Sequence, residues 1–151
     1  MKQKLAHFML QPFMLSLLNV MILILAYTAL KFTWFELNPS DHFHDAVELW
    51  EGFGTILLGF GVLLEERSTL RKILVHDIKD SKKLDLACHD YGLFFVLLGV
   101  FIETFAWLVK IPNVVLDTYA VEYGLVQLAG IFAAAGVILQ IRFFYRIHFK
   151  K

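Results

Sequence analysis

At 151 residues, 58% of them hydrophobic and with a mean hydropathy of +0.64, the chain is more apolar than the roughly 45–50% usual in soluble domains. Its 14 basic and 14 acidic residues cancel, so no excess of charge points to nucleic acid or an acidic substrate as partner. The one cysteine, Cys88, excludes an internal disulfide and any multi-cysteine zinc or iron–sulfur centre.

From Leu5 to Leu30 the chain runs 26 residues without Asp, Glu, Lys or Arg. A helix rises ~1.5 Å per residue and a bilayer core is ~30 Å thick, so about 20 apolar residues cross it. A first span is therefore expected over residues 10–31, with Pro12 in its first turn. Its apolar stretch is longer than the roughly 7–15 residues of a secretory signal, and no A-x-A pattern follows, so a retained anchor is expected. A second span is placed at residues 46–64, with its two acids, Glu48 and Glu51, crowded at one end.

The connection at residues 65–88 reads as more than a loop. Leu70, Ile73, Leu74 and Ile78 recur at helical spacing, with Arg71, Lys72, Asp77 and Lys79 on the other faces. The second helix is expected to continue to Ile78, turn at Lys79–Ser81, and return with Asp80 or Ser81 capping the third. That makes a helical hairpin projecting beyond the membrane, within which Cys88 is read as an inert packing residue. Third and fourth spans follow at residues 90–109, where Glu103 is the single charge from Tyr91 to Val109, and at residues 122–141. The fold class is thus an all-α integral membrane protein. It is one domain over 1–151, with four transmembrane helices in an antiparallel up-down bundle and no soluble domain.

Basic residues give the expected orientation. Lys2 and Lys4, then Arg67, Arg71, Lys72, Lys79, Lys82 and Lys83, then Arg142, Arg146, Lys150 and Lys151 cluster in alternate segments. The positive-inside rule puts both termini and the hairpin in the cytoplasm. Trp34, Trp50 and Trp107 then fall near the outer surface, and Phe143, Phe144 and Tyr145 near the inner one, as an interfacial belt requires. Pro39 and Pro112 fall in the outer connections.

Membrane helices meet through small residues and a few polar contacts. The expected packing stripes are Ser16, Asn19 and Ala26; then Glu48, Glu51, Gly52, Thr55 and Gly59; then Gly92, Val96, Gly99, Glu103 and Ala106; then Tyr123, Gln127, Gly130 and Ala134. Gly52, Gly54, Gly59 and Gly61 are all read as packing glycines.

Three candidate sites follow. Glu51, Glu103 and Gln127 share a depth of about 7–11 Å below the outer boundary, with Tyr123 and Glu48 shallower. An ionised carboxylate there costs several kcal/mol. The cluster Glu51, Glu103, Gln127 and Tyr123 is accordingly expected either to bind a proton or cation or to lock helices together. Asp41, His42, His44, Asp45 and Glu122 would supply its mouth. A metal reading uses His44, Glu48 and Glu51 on one helical face. A haem reading pairs His89 with His7, His76 or His148. Both compete with solvated or headgroup-level side chains, and no cofactor is expected beyond lipid contact.

Nucleophile triads, phosphate-cradling loops and dinucleotide fingerprints are absent from the sequence. The expected function is an accessory or scaffolding subunit of a larger membrane complex, without catalysis of its own, in a bacterial inner membrane. Its partners would be other integral membrane subunits and lipid, with self-assembly as a further option. The alternatives are an oligomeric proton or cation channel or transporter using Glu103 with Glu51, and then a haem- or metal-binding electron-transfer subunit.

Overall fold

The computed structural model describes residues 10–32, 43–74, 82–111, 115 and 121–149. Among them are five helices and no strand: α1 (Pro12–Lys31), α2 (Phe43–Glu65), α3 (Arg67–Leu74), α4 (Lys82–Lys110) and α5 (Glu122–Phe149). Four of these, all but α3, are long and apolar enough to cross a membrane, as a multi-pass membrane protein requires.

Local chemistry explains the ends. Gln11 takes an extended backbone (φ −70°, ψ 150°) and accepts from Leu15 N at 3.1 Å, while Pro12 supplies the fixed φ of a first helical turn. At the far end of α2 the helix breaks at Glu66. Backbone bonds from Glu66 N to Val62 O (3.0 Å) and from Leu70 N to Glu66 O (2.8 Å) carry the ladder to either side. The unbroken helix expected to reach Ile78 is therefore two elements, α2 and α3, and residues 75–81, with the turn and cap expected there, lie outside the described residues. The helices α4 and α5, of 29 and 28 residues, are each about 40 Å long and so overreach a ~30 Å core.

The most extensive packing is α2 on α4, followed by α5 on α4, with α1 resting on α5 and α2. Paired positions climb one helix as they descend the next: Gly54 meets Glu103, Gly61 meets Val96, and Gly92 meets Glu65. The same holds for α4 and α5, where Phe95 meets Phe143 and Phe105 meets Phe132. Between the helices lies a core of Trp50, Leu57 and Leu64 from α2, Phe95 and Ile102 from α4, Val126 and Phe143 from α5, and Leu15 and Ile22 from α1. Its half nearer the α2/α3 junction is an aromatic cluster, with Phe60 stacked on Phe95 at 5.8 Å and Tyr91 5.3 Å from Phe143. Such ring pairs add ~0.5–1.5 kcal/mol each beyond their area. The outer faces carry Phe13, Tyr27, Ile131 and Ile138, all more than half exposed.

Three expected placements change. Trp50 and Phe143 are not belt residues: both are fully buried, because each lies on the core face of its helix. Trp107, at 61% exposure, does face outward, and Trp34 lies outside the described residues. In α5 the core centres on Val126, Ala129, Ala133 and Gln140, a step of about 100° from the expected stripe, so Tyr123 is 54% exposed, although Gly130 of that stripe is buried. In α3 the polarity is turned round. Arg67 and Arg71 are 3% and 14% exposed and face the bundle, whereas Ile73 is 63% exposed.

Candidate functional site

The α2/α4 seam is built on two glycine pairs, each seven residues apart: Gly54 and Gly61 on α2, Gly92 and Gly99 on α4. A Cβ at Gly61 would stand 2.6 Å from Val96 N, and one at Gly92 2.6 Å from Glu65 N. These are backbone atoms, which cannot swing aside, so only glycine permits the approach. Gly52 and Gly59, expected on the packing stripe, have nothing within 4 Å of an added Cβ and face outward. The real seam lies two residues along, at Gly54 and Gly61.

Gly54 also makes room for chemistry. The Glu103 side chain lies over it, with Cγ only 2.9 Å from where a Cβ would be. From there the carboxylate reaches Thr55, whose hydroxyl donates to Glu103 Oε1. The same hydroxyl is 3.1 Å from the Glu51 carbonyl oxygen, and its single hydrogen serves one acceptor at a time. Toward the end of the seam where α4 stops, Lys110 Nζ donates to Glu51 Oε2 with both side chains about one-third exposed. Lys110 closes α4, so its ammonium can bend back along the seam to a carboxylate that sequence position alone leaves without a cation.

Of the expected polar cluster, Glu51 and Glu103 lie on this seam with separate partners, Lys110 and Thr55. Tyr123 and Gln127 belong to α5, which meets α4 through Phe101 and Phe105, residues on a different face from Glu103. His44 and Glu48 are exposed at the start of α2. Among the described residues no three His, Cys, Asp or Glu side chains gather closely enough to hold a metal, so His44, Glu48 and Glu51 are not assembled as ligands. Of the histidines considered for haem, His89 is exposed, His148 bonds Ser16, and His7 and His76 lie outside the described residues. Asp41 and His42 lie outside them too.

The opposite end of the bundle, at the α2/α3 junction, holds a second polar group that the sequence did not reveal. Arg67 Nε donates to the Leu10 carbonyl at 3.0 Å and its Nη1 to Asp85 Oδ1, while Arg71 Nη1 reaches Asp85 Oδ2 at 3.5 Å. Burial pulls the Arg67 pKa below its ordinary value, and neighbouring Asp85 opposes the shift. The cluster ties the start of α1 to α3 and α4. Nearby, Arg146 lies 4.0 Å from Asp90 and over the Tyr91 ring. Sequence gave one usable signal here, an arginine immediately past a span facing an acid of the next helix, but no way to choose Asp85 over its neighbours. No known protein family, curated protein or solved structure matches this chain.

Proposed function

We propose that the protein is an accessory or scaffolding subunit of a larger membrane assembly, seated in a bacterial inner membrane as an up-down bundle with both termini and α3 in the cytoplasm. The observation that carries this reading is the outward face of α2. Gly52 and Gly59 are exposed and open there, at the same seven-residue spacing that seats α4 against Gly54 and Gly61. One such pair is used inside the chain, and the second suits lateral contact with a helix of another subunit. The acids of the spans support the same reading, since Glu51 and Glu103 are engaged within the chain by Lys110 and Thr55. Extraction in mild detergent, followed by identification of the proteins that co-purify, tests it. A defined membrane subunit should accompany the wild type and be lost from Gly52→Leu and Gly59→Leu. A protein that runs alone, or only with itself, refutes it.

A second reading has one observation in its favour. Glu103 is an acid inside a span that meets a hydroxyl rather than a cation, as a site for an exchangeable proton or ion would. Proton or ion flux into liposomes should then fall in Glu103→Gln, and unchanged flux disposes of it.

A further inference from the structure

The most deeply buried polar side chains of the spans belong to neither the α2/α4 seam nor the arginine cluster: Asn19 stands on α1 where it meets α5, and Gln140 stands on α5. Asn19 and Gln140 are both fully buried. Asn19 Nδ2 donates to the Gln140 backbone carbonyl at 3.1 Å. That bond fixes which way the Asn19 amide faces: its nitrogen is committed to the carbonyl, so Oδ1 points away and needs a donor of its own. Among the described residues Asn19 Oδ1 finds none, and neither Nε2 nor Oε1 of Gln140 has a partner. In hydrocarbon such atoms must be satisfied or bear the full desolvation penalty.

Toward the inner end, the same interface stays polar. Ser16 Oγ lies 2.9 Å from His148 Nε2. Ser16 is three residues before Asn19 on α1, and His148 is eight after Gln140 on α5, so both pairs share one face of each helix. Phe144 lies between Gln140 and His148 on that face, its ring 4.6 Å from the imidazole. His148 itself is exposed. Polar groups thus form a file along α1 from the end of the bundle to its interior, with the Phe144 ring interposed on the α5 side.

We propose that this file is a hydration site, in which Asn19 and Gln140 bind water between α1 and α5 and Ser16 with His148 admits it from the inner side. The chemistry of the orphaned atoms selects the ligand. A water can donate to Asn19 Oδ1 and to Gln140 Oε1 while accepting from Gln140 Nε2, and about three bonds is the number a buried water makes. A cation fits badly, because the amide hydrogens of Gln140 would point at it.

The test is NMR of the intact chain in lipid nanodiscs, with side-chain amides labelled and the Gln140 signal assigned by its loss in Gln140→Leu. The Gln140 carboxamide should show a cross-peak to water and exchange into deuterated solvent. Ser16→Ala or His148→Phe should change that exchange rate, and Asn19→Leu should abolish the cross-peak. The wild-type spectrum decides alone if a variant fails to fold. A Gln140 carboxamide that shows no contact with water and is as protected as the core backbone, with its only cross-peaks to Asn19, overturns the proposal. That result would mean that the two amides satisfy each other directly.

Discussion

The α2/α4 seam and the α1/α5 joint are both helix contacts, yet they are made in opposite ways. The seam is held by shape. Gly54, Gly61, Gly92 and Gly99 bring two backbones together so closely that a single methyl group would strike main-chain atoms. The joint is held by polarity: Ser16 to His148 and Asn19 to the Gln140 carbonyl. Lipid tails give apolar side chains no drive to associate, so close packing and hydrogen bonding are the two means left. Packing is intolerant of added volume and indifferent to water. Hydrogen bonding tolerates small shifts and accepts water as a stand-in. The seam should therefore resist added volume, and α1 should tolerate small shifts better.

The largest effects should come from filling the seam. Gly61→Ala and Gly92→Ala should each destabilise the bundle by about 1–3 kcal/mol, the usual range for overpacking, because backbone atoms 2.6 Å away must retreat. Reversible unfolding in mixed micelles measures this, and a change below about 0.5 kcal/mol would mean that the helices do not approach as described. The joint should respond more weakly and differently. Asn19→Leu, which removes the bond to the Gln140 backbone carbonyl, should cost on the order of 0.6–1.7 kcal/mol, the average to the maximum found for polar contacts between membrane helices. Gln140→Leu, which keeps that bond and removes only the proposed water contacts, should cost less. The double variant should cost less than the sum, since two apolar partners leave no orphaned group behind. Strict additivity would separate the two side chains energetically.

Much of this architecture is legible in the sequence. The four spans announce themselves by length and lack of charge, and the stripe of Gly92, Val96, Gly99 and Glu103 does face α2. What could not be read was rotation. The chain offers Gly52, Gly54, Gly59 and Gly61, two interleaved pairs of equal spacing on different faces, and periodicity cannot say which pair is inside. The same ambiguity put Trp50 in a belt rather than the core, since tryptophan suits both settings. Partners across the fold were equally hidden. Lys110 reaches Glu51 over 59 positions and Asn19 meets Gln140 over 121, and no local pattern encodes either distance.

Thr55 and Gly59 allow the comparison to be sharpened further, at lower energies. Thr55→Val keeps shape and removes the one hydroxyl that Glu103 meets on the seam, so its cost should be about 0.6 kcal/mol, the average for such a bond in lipid. If the seam is held by shape, that is nearly all the loss; a cost as large as that of Gly92→Ala would show it to be held by polarity after all. Gly59→Ala should go the other way. With nothing within 4 Å of the new Cβ, the substitution gains up to about 0.5–1 kcal/mol from the lower backbone freedom of alanine in the unfolded chain. The purified chain should thus be slightly more stable, while any partner helix that uses the open face should bind it less well. Opposite signs in unfolding and co-purification for this one methyl group would separate a docking face from one that meets only lipid. A Gly59→Ala chain that gains stability and keeps its partner places the contact on another helix.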